Sequence, residues 1–474
     1  MNKKKNTPKQ HTIEKEVSIE GIGLHTGEQC KLTFAPANDD TGIIFIRTDM
    51  EHDPEIPALI DYIKEDNSTD SLRGTNIEKD GATVHTVEHV MAALAGLEID
   101  NCYVKINASE PPILDGSAKG FVELLKDAGK VKQKHDRKFV EIHEQVSFHN
   151  EKTGSQIEVL THSDFRMTVM VDFPAPLGSM HTGMFNISEF ETEFASSRTF
   201  CFLHEIKYLH SQGLIKGGGL NNALCMVNES MSQDELNELK SILGIDEDIF
   251  IGENGIINNL EMRFPNEPCR HKALDLLGDL YLVGAPIKGH VLAARPGHQS
   301  NIEIAKKIRE VYKNQLIQEK YKSEKKDVIF DVNAIKRILP HRYPFLLVDK
   351  ITEFESGKRI VGVKNVTSNE ELFNGHFPSK PVFPGVLICE AMAQTGGIMF
   401  LNMIDNPDEK LVYFMSMNNV KFRKPVGPGD QLVMEIVMLR QRRMNCTIKG
   451  TAYVDGEVVC EGEFMAAIVD KEAE

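Results

Sequence analysis

Apolar and polar residues alternate in short runs over the first 130 residues, as in Gly42 to Arg47 (GIIFIR) and Asn101 to Ile106 (NCYVKI). The apolar spacing widens to every third or fourth position over Thr86 to Gly96 and Gly120 to Ala128. A period of two predicts half-buried strands, and a period near 3.6 predicts helices. The succession then restarts, with strand-like runs at Phe139 to Phe148 and Arg166 to Val171 and helical ones at Phe202 to Gln212 and Arg270 to Gly284. Two α+β layers in tandem follow. A further helix, Asn301 to Gln318, runs into QEKYKSEKKD, which is charged and has no apolar face, so a linker or solvated helix end is expected there. Beyond it the chain shows one early helix (Val332 to Ile338) and one long apolar helix after Pro384. Three alternating runs, QLVMEIVMLRQ, MNCTIKGTAYV and EVVCEGEFMAAIVD, then predict an antiparallel sheet.

At 474 residues the chain exceeds what one core can organise, and about three units are expected. The pattern sets their bounds at 10–133, 134–310 and 328–474, with a linker at 311–327. No apolar run approaches the ~20 residues of a membrane span, and the basic start MNKKKNTPKQHTIEKE has no apolar segment behind it. A soluble, cytoplasmic protein is the expectation. Eight cysteines form no C-x-x-C pair, which disfavours a cysteine metal site and a redox motif. The net charge of −16 argues against a nucleic-acid partner. That charge is uneven: Val328 to Glu474 carries 17 Lys and Arg against 19 Asp and Glu, a net of −2, and the rest of the chain holds −14.

Candidate chemistry starts at VHTVEHVMAAL, where His85 and His89 stand four apart with Glu88 before the second. The order is not the H-E-x-x-H of metalloproteases, in which both histidines bind metal from one helical face. A catalytic zinc needs about three protein ligands. Further donors recur in CRHKALDLLGDLYLVG, where His271, Asp275 and Asp279 fall at i, i+4 and i+8 on one helical face. Spacing alone leaves a polar helix face as the alternative in both segments.

GIGLHTG (21–27), TVEHVMAALAGLEIDN (86–101), ILDGSA (113–118), SSRTFCF (196–202), KGGGLNN (216–222), RHKALDLLGDL (270–280) and RPGHQSN (295–301) together resemble the UDP-3-O-acyl-N-acetylglucosamine deacetylases of lipid A synthesis. The resemblance implies one Zn2+ held by His89, His271 and Asp275, with His85 outside the ligand set. It implies Glu88 as general base, Thr199 as a donor to the oxyanion, and His298 as a second catalytic group oriented by Asp279. Lys272 is expected to meet a substrate phosphate. Phe200, Phe202 and Ile206 are expected to border an acyl chain, although a core-packing helix has the same pattern. Cys201 departs from the glycine of many relatives and would narrow that passage. The triple glycine at 217–219 lacks the lysine of a phosphate loop and reads as a tight turn.

LPHRYPFLLVDK (339–350) and NGHFPSKPVFPGVLICEAMAQTGG (374–397) carry a helix that is apolar nearly all round except Glu390 and Gln394. A carboxylate there is costly unless paired or neutral, and burial raises its pKa toward that of a general acid. These residues resemble the 3-hydroxyacyl-acyl carrier protein dehydratases, which are hotdog folds. The resemblance implies His376 and Glu390 as the catalytic pair and the Gly385 amide as a donor to the thioester carbonyl. Lys380 and Phe383 depart from the usual pattern beside the pair. The deacetylase resemblance implies a UDP-sugar lipid as substrate, and the dehydratase resemblance implies acyl carrier protein as a partner and a homo-oligomer, dimer or hexamer, through the hotdog domain.

Overall fold

Strand alternation of the kind seen in Cys102–Ile106, where Cys102, Val104 and Ile106 are buried and Tyr103 and Lys105 half-buried, builds the first of the two larger sheets before residue 312. Its five strands run in the order Val17–Ile22, Gln29–Pro36, Cys102–Ile106, Ile43–Arg47, Glu55–Pro57. The computed structural model describes residues 7–64, 74–173, 178–227, 236–237, 240, 249–253, 255–320, 328–404, 407–442 and 444–470. The chain divides into two units, Met1–Tyr312 and Lys313–Glu474.

In the first unit, helix α1 (Glu88–Gly96) is buried on all sides except at its last residue, and α2 (Lys119–Ala128) buries one stripe, Phe121, Val122, Leu125 and Ala128. The second sheet takes the order Val146–Asn150, Ser155–Thr161, Ile287–Ala294, Phe165–Asp172, Ser179–His181, with Val140–Glu141 and Phe185–Asn186 paired to its middle strands. The single run expected over Phe139 to Phe148 is thus two strands. Between them His143, Glu144 and Gln145 are three consecutive exposed polar residues, which breaks the period of two. Helix α3 (Leu203–Ser211) buries Leu203, Ile206 and Leu209. Helix α4 (Glu267–Tyr281) starts with Pro268 in its first turn, where the missing N–H costs nothing. It packs against α1 so closely that a Cβ on Gly278 would stand 2.0 Å from the Glu88 carbonyl oxygen. Helix α5 spans His298–Lys320. Of the segment Gln318 to Lys326, expected as a tether, residues 321–326 lie outside the described residues.

The second unit is a six-stranded antiparallel sheet in the order Lys350–Glu355, Arg359–Asn365, Gln431–Arg442, Asn445–Val454, Glu457–Asp470, Lys410–Phe422. Helix α6 (Val332–Ile338) is capped by Asp331, whose side chain accepts from the Ala334 amide at 2.9 Å. Helix α7 (Gly385–Leu401) starts directly after Pro384, as its sequence predicts, and lies on the sheet with Ile388, Met392, Ile398 and Phe400 in the core. Gly450 permits this closeness, since a Cβ there would come within 2.9 Å of Met392 Sδ and of the Phe464 ring. The arrangement is the curved sheet around a long helix that the dehydratase resemblance implies. Among the described residues no helix is long and apolar enough to cross a membrane. All eight cysteines are free thiols.

Candidate active sites

Thr86 enters the first site with a φ of +53°, unusual for a β-branched residue, and it turns the chain so that α1 begins two residues later. The turn is held by Glu110, fully buried, which accepts from Thr86 Oγ1 (2.9 Å), Thr26 Oγ1 (3.0 Å) and the amides of His25 and Thr26. Glu88 and His89 thereby face α4. His85, before the turn, donates its amide to Ser109 and does not join the cavity lining.

His89, His271 and Asp275 converge with one ligand atom each within 4.8 Å of the others, all three buried. Asp275 Oδ1 lies 3.5 Å from His89 Nε2 and 3.3 Å from His271 Nε2. His271 Nδ1 donates to the Ser197 carbonyl at 3.0 Å, so its Nε2 carries the lone pair and points at the other two groups. Burial lowers the His271 pKa to about 4, despite Asp275 beside it, and keeps the ring neutral as a ligand requires. Asp275 is held well below the usual carboxylate range: burial alone would raise it, but His271 and Lys272 outweigh that. Its Oδ1 is buried with no hydrogen-bond partner, between two imidazole nitrogens. A buried anionic oxygen of this kind calls for a cation, and two imidazoles with one carboxylate form a donor set that suits a divalent metal.

Beside the triad stand two further titratable groups. Glu88 is pushed above its ordinary pKa by burial, against the pull of His298 and His89. His298 rises to about 9, because Asp279 and Glu88 overcome the opposing effect of burial. Its Nδ1 contacts Asp279 Oδ2 at 3.0 Å, and its Nε2 lies 3.8 Å from both Glu88 Oε1 and Asp275 Oδ2. Two residues without a sequence signal complete this network: Asn301 Nδ2 donates to Asp279 Oδ2 at 2.9 Å, and Thr75 touches both carboxylates. Ser197 is likewise invisible in the sequence as the fixer of His271, because it acts through its carbonyl.

Glu88, His89, Thr199, His271, Asp275 and His298 line one cavity of ≈ 1060 Å³, its open mouth included. Lys272 lines it too, with its ammonium 3.0 Å from Asp275 Oδ2 and 5.6 Å from the Phe200 ring centre. The apolar wall includes Phe200, Ile206 and Leu209, and Cys201 sits there opposite Cys225 on the neighbouring strand. Phe202 does not line the cavity; its ring stands behind the wall against Phe173 and Phe200. Thr199 is fixed through its main chain, its amide donating to Gly116 at 2.7 Å. Gly116 has φ +81° and no room for a Cβ, which would meet the Asn222 carbonyl oxygen at 1.8 Å.

The second site lies in the Lys313–Glu474 unit. Half-buried Glu390 on α7 accepts from Gln394 Nε2 at 2.9 Å and lies 3.6 Å from His341 Nε2. Gln394 spends its other bonds on the loop before the sheet, accepting from the Leu347 amide and donating to the Phe345 carbonyl, both at 2.8 Å. His376 Nδ1 donates to the Val382 carbonyl at 2.7 Å, leaving Nε2 as the basic nitrogen. Gly385 is the first residue of α7. Glu390 lines a cavity of ≈ 840 Å³, its open mouth included, with Val412, Tyr413 and Phe414 of the edge strand, and His376 is not among the residues lining it.

Residues 10–241 and 237–310 match the family model for UDP-3-O-acyl N-acetylglycosamine deacetylase, and residues 339–463 match a FabA-like domain. The chain is similar to the bifunctional enzyme LpxC/FabZ of Chlorobaculum tepidum, 50% identical over 98% of this chain and 99% of that protein. It is 43% identical to the protein of the same name from Bacteroides thetaiotaomicron, over 97% and 99% of the two chains. The UDP-3-O-acyl-N-acetylglucosamine deacetylase of Anaeromyxobacter sp. is 37% identical, over 63% of this chain and 88% of its own.

Proposed function

The chain belongs to the UDP-3-O-acyl-N-acetylglucosamine deacetylase family and carries a FabA-like domain behind it, and from this we infer that it joins two enzymes. One hydrolyses the N-acetyl group of UDP-3-O-(3-hydroxyacyl)-N-acetylglucosamine in lipid A synthesis. The other dehydrates (3R)-3-hydroxyacyl-acyl carrier protein to the trans-2-enoyl product in fatty acid synthesis. We assign the deacetylase halves to 10–133 and 134–310, the linker to 311–327 and the dehydratase to 328–474, with both activities in the cytoplasm.

The observation that carries the first reading is the orphaned Asp275 Oδ1 facing two imidazole nitrogens. His89, His271 and Asp275 would hold one Zn2+, which when bound polarises the acetamide carbonyl and lowers the pKa of water. Glu88 accepts the proton of the attacking water through Oε1, since Oε2 is occupied by the Thr75 amide. The Thr199 hydroxyl donates to the developing oxyanion. His298, held as a cation by Asp279, gives its Nε2 proton to the departing amine. Lys272 in the cavity wall meets a substrate phosphate, and Phe200 and Ile206 border the acyl chain, with Phe202 backing Phe200 rather than lining the passage as its sequence position suggests. Glu88→Gln keeps the shape and removes the proton acceptor, so acetate release should fall on the order of 10² or more with metal content unchanged. An undiminished rate in that variant would remove Glu88 from the mechanism.

In the second site His376 Nε2 takes the proton next to the thioester carbonyl, Glu390 protonates the leaving 3-hydroxyl, and the Gly385 amide polarises the carbonyl at the positive end of α7. The separation of His376 from the Glu390 cavity supports a pair completed by a second copy of the chain. The dehydratase is then a homodimer or a hexamer made of three such dimers, which pairing of singly mutated protomers tests.

A further inference from the structure

Two carboxylates in the deacetylase cavity, Glu88 and Asp279, are tied to one residue that carries neither charge nor assigned role. Thr75 is fully buried, between Gly74 and the strand Ile77–Lys79. Its amide donates to Glu88 Oε2 at 3.0 Å, and its hydroxyl donates to Asp279 Oδ1 at 2.5 Å. The same hydroxyl oxygen lies 3.2 Å from His298 Nδ1, whose nearer partner is Asp279 Oδ2 at 3.0 Å. The Thr75 carbonyl accepts from the Val87 amide at 3.0 Å, which fastens the residue to the start of α1.

We propose that Thr75 is a positioning residue that holds Glu88 and the His298–Asp279 pair at a fixed separation, the first through its main chain and the second through its hydroxyl. The proposal rests on the reading of Glu88 and His298 as the two proton-handling groups. Glu88 belongs to α1, whereas Asp279 and His298 belong to α4 and α5. Without a shared anchor, small shifts between these helices would change the distance across which water, base and acid must align. Geometry of this kind governs turnover more than binding, because misplacement of about 1 Å costs up to about 10²-fold in rate. The hydroxyl is the replaceable half of the anchor, since substitution leaves the amide in place.

Thr75→Val preserves shape and removes the hydroxyl, and Thr75→Ser keeps the hydroxyl. The expected result is a kcat about tenfold or more lower in the Val variant, with KM within about twofold, full metal content, and kcat restored by Ser. Thr75→Ala provides a second comparison that does not depend on the Val variant folding, since Ala and Ser differ only in the hydroxyl. Equal kcat in the folded Ser and Ala variants, with Glu88→Gln inactive, would overturn the role of Thr75 and leave the base assignment standing. An active Glu88→Gln would instead defeat the reading on which the role rests.

Discussion

His85 and His89 are identical side chains four residues apart, and only His89 belongs to the cluster with His271 and Asp275 that could hold a metal ion. The difference comes from Thr86, whose left-handed backbone separates a residue in the lead-in from residues on the first turn of α1. His89→Ala should therefore lose both bound metal and deacetylation, while His85→Ala retains both, as metal analysis alongside an acetate-release assay would show. Equal metal loss in the two variants would sink the assignment. Residue type and spacing brought His85, His89, His271, Asp275 and Asp279 forward together with a plain polar helix face as the alternative, and it was the family resemblance that singled out His89, His271 and Asp275. The roles of Thr75, Asn301 and Ser197 were not visible. They act through hydrogen bonds to residues distant in sequence or through main-chain carbonyls, and neither leaves a periodic signal.

Periodicity served better for whole elements. The helices α1, α4 and α7 were readable because each buries apolar side chains at helical spacing, and α7 began where Pro384 predicted. The break between Val140–Glu141 and Val146–Asn150 was missed, because the flanking residues favour a strand and only the polar trio between them interrupts it. The strand Lys410–Phe422 shows what a single chain leaves open. It forms one edge of its sheet, with Tyr413, Phe414, Met415, Met417 and Phe422 exposed on it, and an exposed apolar edge of this length favours pairing with another chain. Part of the same strand walls the Glu390 cavity. Mixing His376→Ala and Glu390→Gln protomers under conditions that permit exchange should then restore dehydration to about a quarter of the wild-type level, because random pairing gives half mixed dimers with one intact site each. No recovery in verified mixed dimers would place both groups of a site on one protomer.

On the scale of the molecule, the two candidate sites occupy separate units: a buried cluster of histidines and carboxylates in the unit ending at Tyr312, and the proposed His376 and Glu390 pair in the unit starting at Lys313. The sequence already hinted at the division, since the net charge of −16 falls almost entirely on the part before the charged linker. The two reactions have no common intermediate, as one acts on a sugar nucleotide and the other on a carrier-protein thioester, so fusion fixes their ratio at one to one without requiring channelling. The most direct measurement is to assay deacetylation and dehydration on the same preparation, before and after metal chelation, with His376→Ala in parallel. Chelation should silence deacetylation alone, and His376→Ala should silence dehydration alone. Loss of dehydration on chelation, restored when zinc is returned, would contradict two independent sites on one chain.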